Sequence, residues 1–96
     1  MTPRAYLKKI KSNTPLIVTW MDASDSYGEG VKVVELEKWA EKNGPTRYDT
    51  LGFYMGIINE RCFLGFNKDN SSKDGLYRGV AEIPLPMIEH IHALQR

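Results

Sequence analysis

The sequence predicts a mainly β chain with one inserted helix, folded as a small, strongly bent five-stranded barrel. Three observations carry this reading. From Thr50 to Ile58, Leu51, Phe53, Met55 and Ile57 alternate with Gly52, Tyr54, Gly56 and Ile58, which is the side-chain period of a strand. Asn59-Glu60 then makes a tight turn into Arg61 to Phe66, where Cys62, Leu64 and Phe66 share a face. Glycines at 52, 56 and 65 fit a sheet that is sharply coiled or closely approached by another backbone.

The other elements follow in chain order. Residues 3 to 12 can form a short helix, with Thr2 as its cap and Pro3 in the first position. Within it Tyr6, Leu7 and Ile10 are expected to turn to the core. Pro15 stops that pattern, and Leu16 to Trp20 reads as a strand. Residues 31 to 44 hold the inserted helix, with Val33, Leu36, Trp39 and Ala40 at helical spacing and Asn43-Gly44-Pro45 as its stop signal. Asn67 to Gly75 is a polar loop. A fourth strand runs from Leu76 to Ile83 and is cut by Pro84 and Pro86. Met87 to Leu94 then forms either a helical turn plus a last strand or a short helix.

Ninety-six residues make a single domain over 1–96. With 42% hydrophobic and 26% charged residues, the composition is that of a soluble globular chain. A formal net charge of +1 is weak for a protein whose main task is gripping phosphate backbones. Arg4, Lys8, Lys9 and Lys11 nevertheless make residues 1–15 a basic lead-in, read as a solvated amphipathic segment or as a phosphate-facing patch. The single cysteine, Cys62, permits no disulfide framework and points to a reducing cytoplasm. Its place in an apolar run makes it a buried filler rather than a nucleophile. No secretory signal is expected, and no apolar stretch approaches the ~20 residues of a membrane span.

The stretch "A-E-I-P-L-P-M-I-E-H-I" from Ala81 to Ile91, following a three-stranded meander, resembles the SH3-like and Sm-like small barrels. The resemblance implies that Ile83-Pro84 ends the fourth strand and that a 3₁₀ turn leads to the fifth. W-x-D at Trp20 to Asp22, L-G-F at Leu51 to Phe53 and I-P-x-x-x-I at Ile83 to Ile88 also resemble small proteins common in bacteriophage genomes. That implies residence in the cytoplasm of an infected host. The aromatic run with which SH3 domains hold proline-rich peptides is missing.

Residues 20 to 30, W-M-D-A-S-D-S-Y-G-E-G, pose the functional question. A calcium loop starting at Asp22 would place Tyr27 where a sharp turn needs Gly, and Val33 where the last ligand needs Glu. Starting at Asp25 puts Leu36 in that last place. Gly28-x-Gly30 lacks the lysine of a phosphate loop. His90 and His92 have no third soft ligand at zinc spacing, and nothing fixes Asp22, Asp25 and Glu29 as an acid–base pair. No catalytic residue, metal or cofactor is therefore expected, and the chain is read as a non-enzyme.

Ligand binding is the reading that remains. Trp20 and Tyr27 stack on planar groups, while Asp22, Ser24, Asp25 and Ser26 offer short acceptors and donors. Asn67, Lys68 and Arg78, in and beside the second polar loop, complete the candidate site at the barrel mouth. The competing reading makes Trp20 a core residue and the rest a capped turn. The expected function is capture of a small nucleotide-like ligand or a host defence component, which neutralises it. The alternatives are an Sm-like nucleic-acid-binding barrel and a protein-docking module that uses the helix around Trp39. A homo-oligomer is also expected, through pairing of the exposed Leu76 to Ile83 strand with its copy.

Overall fold

The computed structural model describes residues 1–22, 30–42, 46–71 and 75–94. Strands β1 (Pro15–Asp22), β2 (Thr46–Ile58), β3 (Arg61–Asp69), β4 (Leu76–Pro84) and β5 (Ile88–Ala93) form one antiparallel sheet in the order β4-β3-β2-β1-β5. Short helix α1 (Pro3–Leu7) precedes the sheet. Helix α2 (Leu36–Lys42), entered through a 3₁₀ turn at Val33–Glu35, lies between β1 and β2. Thus the chain is mainly β, and the inserted helix stands where its spacing predicts.

Helix α1 starts as its sequence dictates: Thr2 Oγ1 accepts from the Ala5 amide at 3.1 Å, and Pro3 needs no partner for an N–H it lacks. It ends at Leu7 rather than continuing to residue 12. Amide bonds from Lys9 to Tyr6 and from Ile10 to Leu7 tighten the chain into 3₁₀-type turns. Asn13, at φ 71°, then swings the backbone onto β2, where its amide donates to the Tyr54 carbonyl at 2.7 Å. The sheet captures the chain before another helical turn can form. Leu7 is fully buried and Ile10 packs on the core, while Tyr6 is half-buried beside β5.

The two residues of the β2–β3 turn, Asn59 and Glu60, have φ of 51° and 62°, the positive values that match a tight turn to the twist of its flanking strands. Within β2 the register against β3 shifts between Tyr54 and Gly56, and Gly56 takes φ 141°, which favours glycine. This bulge decides which half of the alternation is buried. Tyr54 and, beyond the bulge, Ile57 face the core, whereas Leu51 (56% exposed) and Met55 (42%) face out.

The core joins Leu16 and Val18 of β1 to Tyr54, Cys62, Leu64 and Ile83, and is closed by Leu7, Leu85 and Ile88. Each large apolar side chain fully buried there stabilises the fold by about 1.5–3 kcal/mol. Pro84 ends β4, Leu85–Met87 makes a 3₁₀ turn, and the Leu85 amide donates to the Glu60 carbonyl at 2.9 Å. Of the two readings of the C-terminal segment, the turn followed by a strand is the one observed. Helix α2 is less tightly held: Val33 (87% exposed), Val34 (89%) and Leu36 face solvent, and Trp39 is half-buried. Among the described residues no helix is long and apolar enough to cross a membrane.

Candidate functional site

A cluster on the outer face of the sheet is assembled by β2, β3 and β4. Phe53 faces outward from β2, opposite Gly65 of β3. A Cβ at Gly65 would lie 2.5 Å from Tyr77 Cγ, so only glycine lets that ring settle against β3. Tyr77 therefore reaches Phe53, with ring centroids 5.8 Å apart and planes tilted by 32°. Its hydroxyl donates to Asn13 Oδ1, which anchors the far end of the ring. Burial pushes the Tyr77 phenol above its ordinary range, so it remains a donor at neutral pH.

Lys68 completes the cluster. Its ammonium lies 5.7 Å from the Phe53 centroid, and among the described residues no carboxylate is within ion-pair distance of it. Asn67, at φ 50°, accepts the left-handed conformation that precedes Lys68 in β3. Beside these residues opens a cleft of about 300 Å³, lined by Pro15, Leu51, Phe53, Phe66, Asn67 and Leu94 with Gly52 and Gly65 between them. Its wall is apolar and Phe53 forms one side, and the Lys68 ammonium lies over that same ring without lining the cleft itself.

The sequence-predicted residues are distributed unequally. Asn67 lines this cleft, and Lys68 lies over the Phe53 ring that forms one side of it. Arg78 is ion-paired to Asp69 at 3.3 Å on the β3–β4 side. The Ser71 hydroxyl and amide also donate to Asp69, at 2.5 and 2.9 Å, and together with Arg78 hold its carboxyl below the usual range. Trp20 is half-buried against the core. Its Nε1 donates to Thr50 Oγ1 at 2.9 Å, and its ring lies 5.1 Å from that of Tyr48. Asp22 is the exposed last residue of β1, opposite Thr46. Ser24, Asp25, Ser26 and Tyr27 lie outside the described residues.

Phe53 and Tyr77 were not among the residues the sequence placed in the site. Gly65, placed between Leu64 and Phe66 in a strand, is the one local signal that a ring must come close there.

A second cleft of about 250 Å³ lies where Met1, Thr2, Pro3 and Tyr6 approach Ile88 to Ile91. Its lining holds no Lys or Arg side chain, and Glu89 is ion-paired to Arg47 at 3.0 Å. Cys62 is fully buried, and burial pushes its thiol up to about 11. It is therefore protonated at neutral pH and is no nucleophile. His90 and His92 are exposed on β5, opposite Thr19 and Ile17. Among the described residues no three His, Cys, Asp or Glu side chains are placed to hold a metal ion.

The fold and the cleft together define a small antiparallel-sheet protein with an apolar cleft beside a cation–aromatic pair. Compared with known proteins, the chain matches no family model, no curated protein and no solved structure.

Proposed function

We infer that this chain is a non-catalytic binding protein that captures a small nucleotide-like ligand in the cleft beside Phe53. The observation that carries the reading is Lys68, a cation without a carboxylate partner among the described residues, held over Phe53, whose ring lines an apolar cleft. A base would stack on Phe53 against the apolar wall, its phosphate would meet the Lys68 ammonium, and Asn67 would read a polar edge. A volume of about 300 Å³ is at the small end of ligand sites and suits one base with its sugar. The sheet order and the turn after Pro84 support a finer reading of the bent sheet as an SH3-like or Sm-like barrel. On the resemblance to bacteriophage proteins, such capture in the host cytoplasm would withdraw a nucleotide or another host defence component.

A second reading has one observation in its favour. Arg61 stacks over Phe63 at 5.4 Å, a second cation–aromatic pair on the sheet, as an Sm-like barrel binding successive bases would need.

Isothermal titration with AMP, GMP, CMP and UMP tests the first reading. At least one should bind saturably, with a shallow dependence on salt because few phosphates are engaged. Phe53→Ala should cost ~1–3 kcal/mol of binding, and Lys68→Gln about tenfold in Kd. Silence from all four nucleotides at millimolar concentration would sink it. Binding of a single-stranded oligonucleotide alone, weakening steeply with salt, would transfer the function to the second reading.

A further inference from the structure

We propose that β4 is a self-pairing edge, through which two copies of this chain join antiparallel about a twofold axis at Val80. The two edges of the sheet are β4 and β5. The β5 edge is flanked by the N-terminal segment, since Met1, Thr2, Pro3 and Tyr6 lie against Ile88 to Ile91. Among the described residues the β4 edge pairs only with β3, and along it Val80 (54% exposed) and Leu76 are exposed. An open edge of nine residues, with its proline only at the last position, is a template for another strand.

The side chains of β4 select which strand fits. Arg78, Val80 and Glu82 stand at alternate positions and are all exposed. A twofold axis through an antiparallel pair of like strands stands perpendicular to the sheet, so the same face stays uppermost on both copies. Only registers that pair like-facing residues are then allowed. When Val80 meets its copy, Arg78 of each chain falls opposite Glu82 of the other, and both charges are paired twice over. A slip of two residues in either direction breaks both pairs, placing Arg78 opposite Val80 or Glu82 opposite Val80. The sequence of β4 is thus complementary to itself in one register.

Neighbouring charges extend the match. Within one chain Arg61 of β3 pairs with Glu82 at 2.9 Å, and Asp69 pairs with Arg78 at 3.3 Å. Joined about Val80, the two sheets carry a row running Arg61, Glu82, then Arg78 and Asp69 of the second copy, alternating in sign throughout. The axis repeats that row on the other side of Val80. Opposite charges across a strand pair stabilise it, and like charges directly opposite destabilise it.

Charge exchange on the full chain tests the proposal by sedimentation or light scattering. The wild type should reach twice the chain mass of 11.0 kDa at high micromolar concentration. Arg78→Glu alone and Glu82→Arg alone should each raise the dimer Kd by at least tenfold, with circular dichroism and melting temperature preserved. An equimolar mixture of the two variants should recover the dimer, because each then supplies the charge the other lacks. Val80→Lys, a change at an exposed position, should give monomer by opposing two ammonium groups at the axis. A strictly monomeric wild type would overturn the proposal. So would a mass above the dimer, as from pairing β4 to β5 head to tail, or a mixture no better associated than its components.

Discussion

Trp20 carries two competing roles in one side chain, and its surroundings separate them. Its ring packs on the core and against Tyr48, and its only polar atom is satisfied by Thr50. Trp20→Ala should therefore lose ~3–5 kcal/mol in urea denaturation, enough to unfold much of a domain this small. Thr50→Val isolates the hydrogen bond and should lose about 1 kcal/mol, because it leaves an indole N–H with no internal partner. Asp22→Asn, at the exposed end of β1, should leave stability within about 0.5 kcal/mol. If Trp20→Ala kept wild-type stability but abolished mononucleotide binding, Trp20 would be a stacking platform and the site would have to be redrawn around it.

Helix α1 shows how little of an element's stability is its own. Five residues are far below the length at which a helix persists alone in water. Its cap supplies one bond, from the Ala5 amide to Thr2, and its anchors are the buried Leu7 and the ion pair between Arg4 and Glu60. The ordering of effects follows. Leu7→Ala should cost ~2–5 kcal/mol, since it opens a cavity in the core. Thr2→Ala should cost about 1 kcal/mol. Arg4→Ala should cost no more than about 1 kcal/mol, because that pair is exposed. Equilibrium unfolding of the three variants measures the series. An Arg4 effect larger than that of Leu7 would mean that α1 is held by charge and not by burial.

Across the whole molecule, Cys62 ties stability to alkaline pH. Its thiol titrates near 9.0 in an ordinary setting and near 11 when buried in the fold. Between those values the unfolded chain has released the proton while the folded chain still holds it. The unfolded state then binds fewer protons, so stability falls as pH rises. The contribution is intact below about pH 9, is lost progressively up to about pH 11, and amounts to roughly 2–3 kcal/mol. Cys62→Ala lacks the titration and should begin less stable, because it leaves a small cavity. Melting curves from pH 8 to 11 should show wild type and variant converging. The Tyr54 phenol is raised first by burial and then by the Cys62 charge, so the difference between the two proteins reports the thiol together with its coupling to Tyr54. Parallel curves would mean that the thiol is not buried as the core requires.

Local chemistry was enough for most elements. The period of residues 50 to 58, the Asn59-Glu60 turn, the Thr2 cap and the stop at Pro84 act through backbone dihedrals and N–H groups within a few residues, so they can be read in one dimension. Half of the candidate site was legible in the same way, since the polar run from Asn67 marked Asn67 and Lys68, although both extend β3 rather than opening a loop. The face of β2 that would be buried was not legible. Both halves of its alternation are apolar, and a single bulge at Met55 selects between them. Nor could the sequence show that Trp20 would give its N–H to Thr50, or that Tyr77 would lean over Gly65 to meet Phe53 and Lys68. Those contacts join residues that are distant in the chain, and they exist only because bending the sheet to bury one face sets which side chains meet on the other.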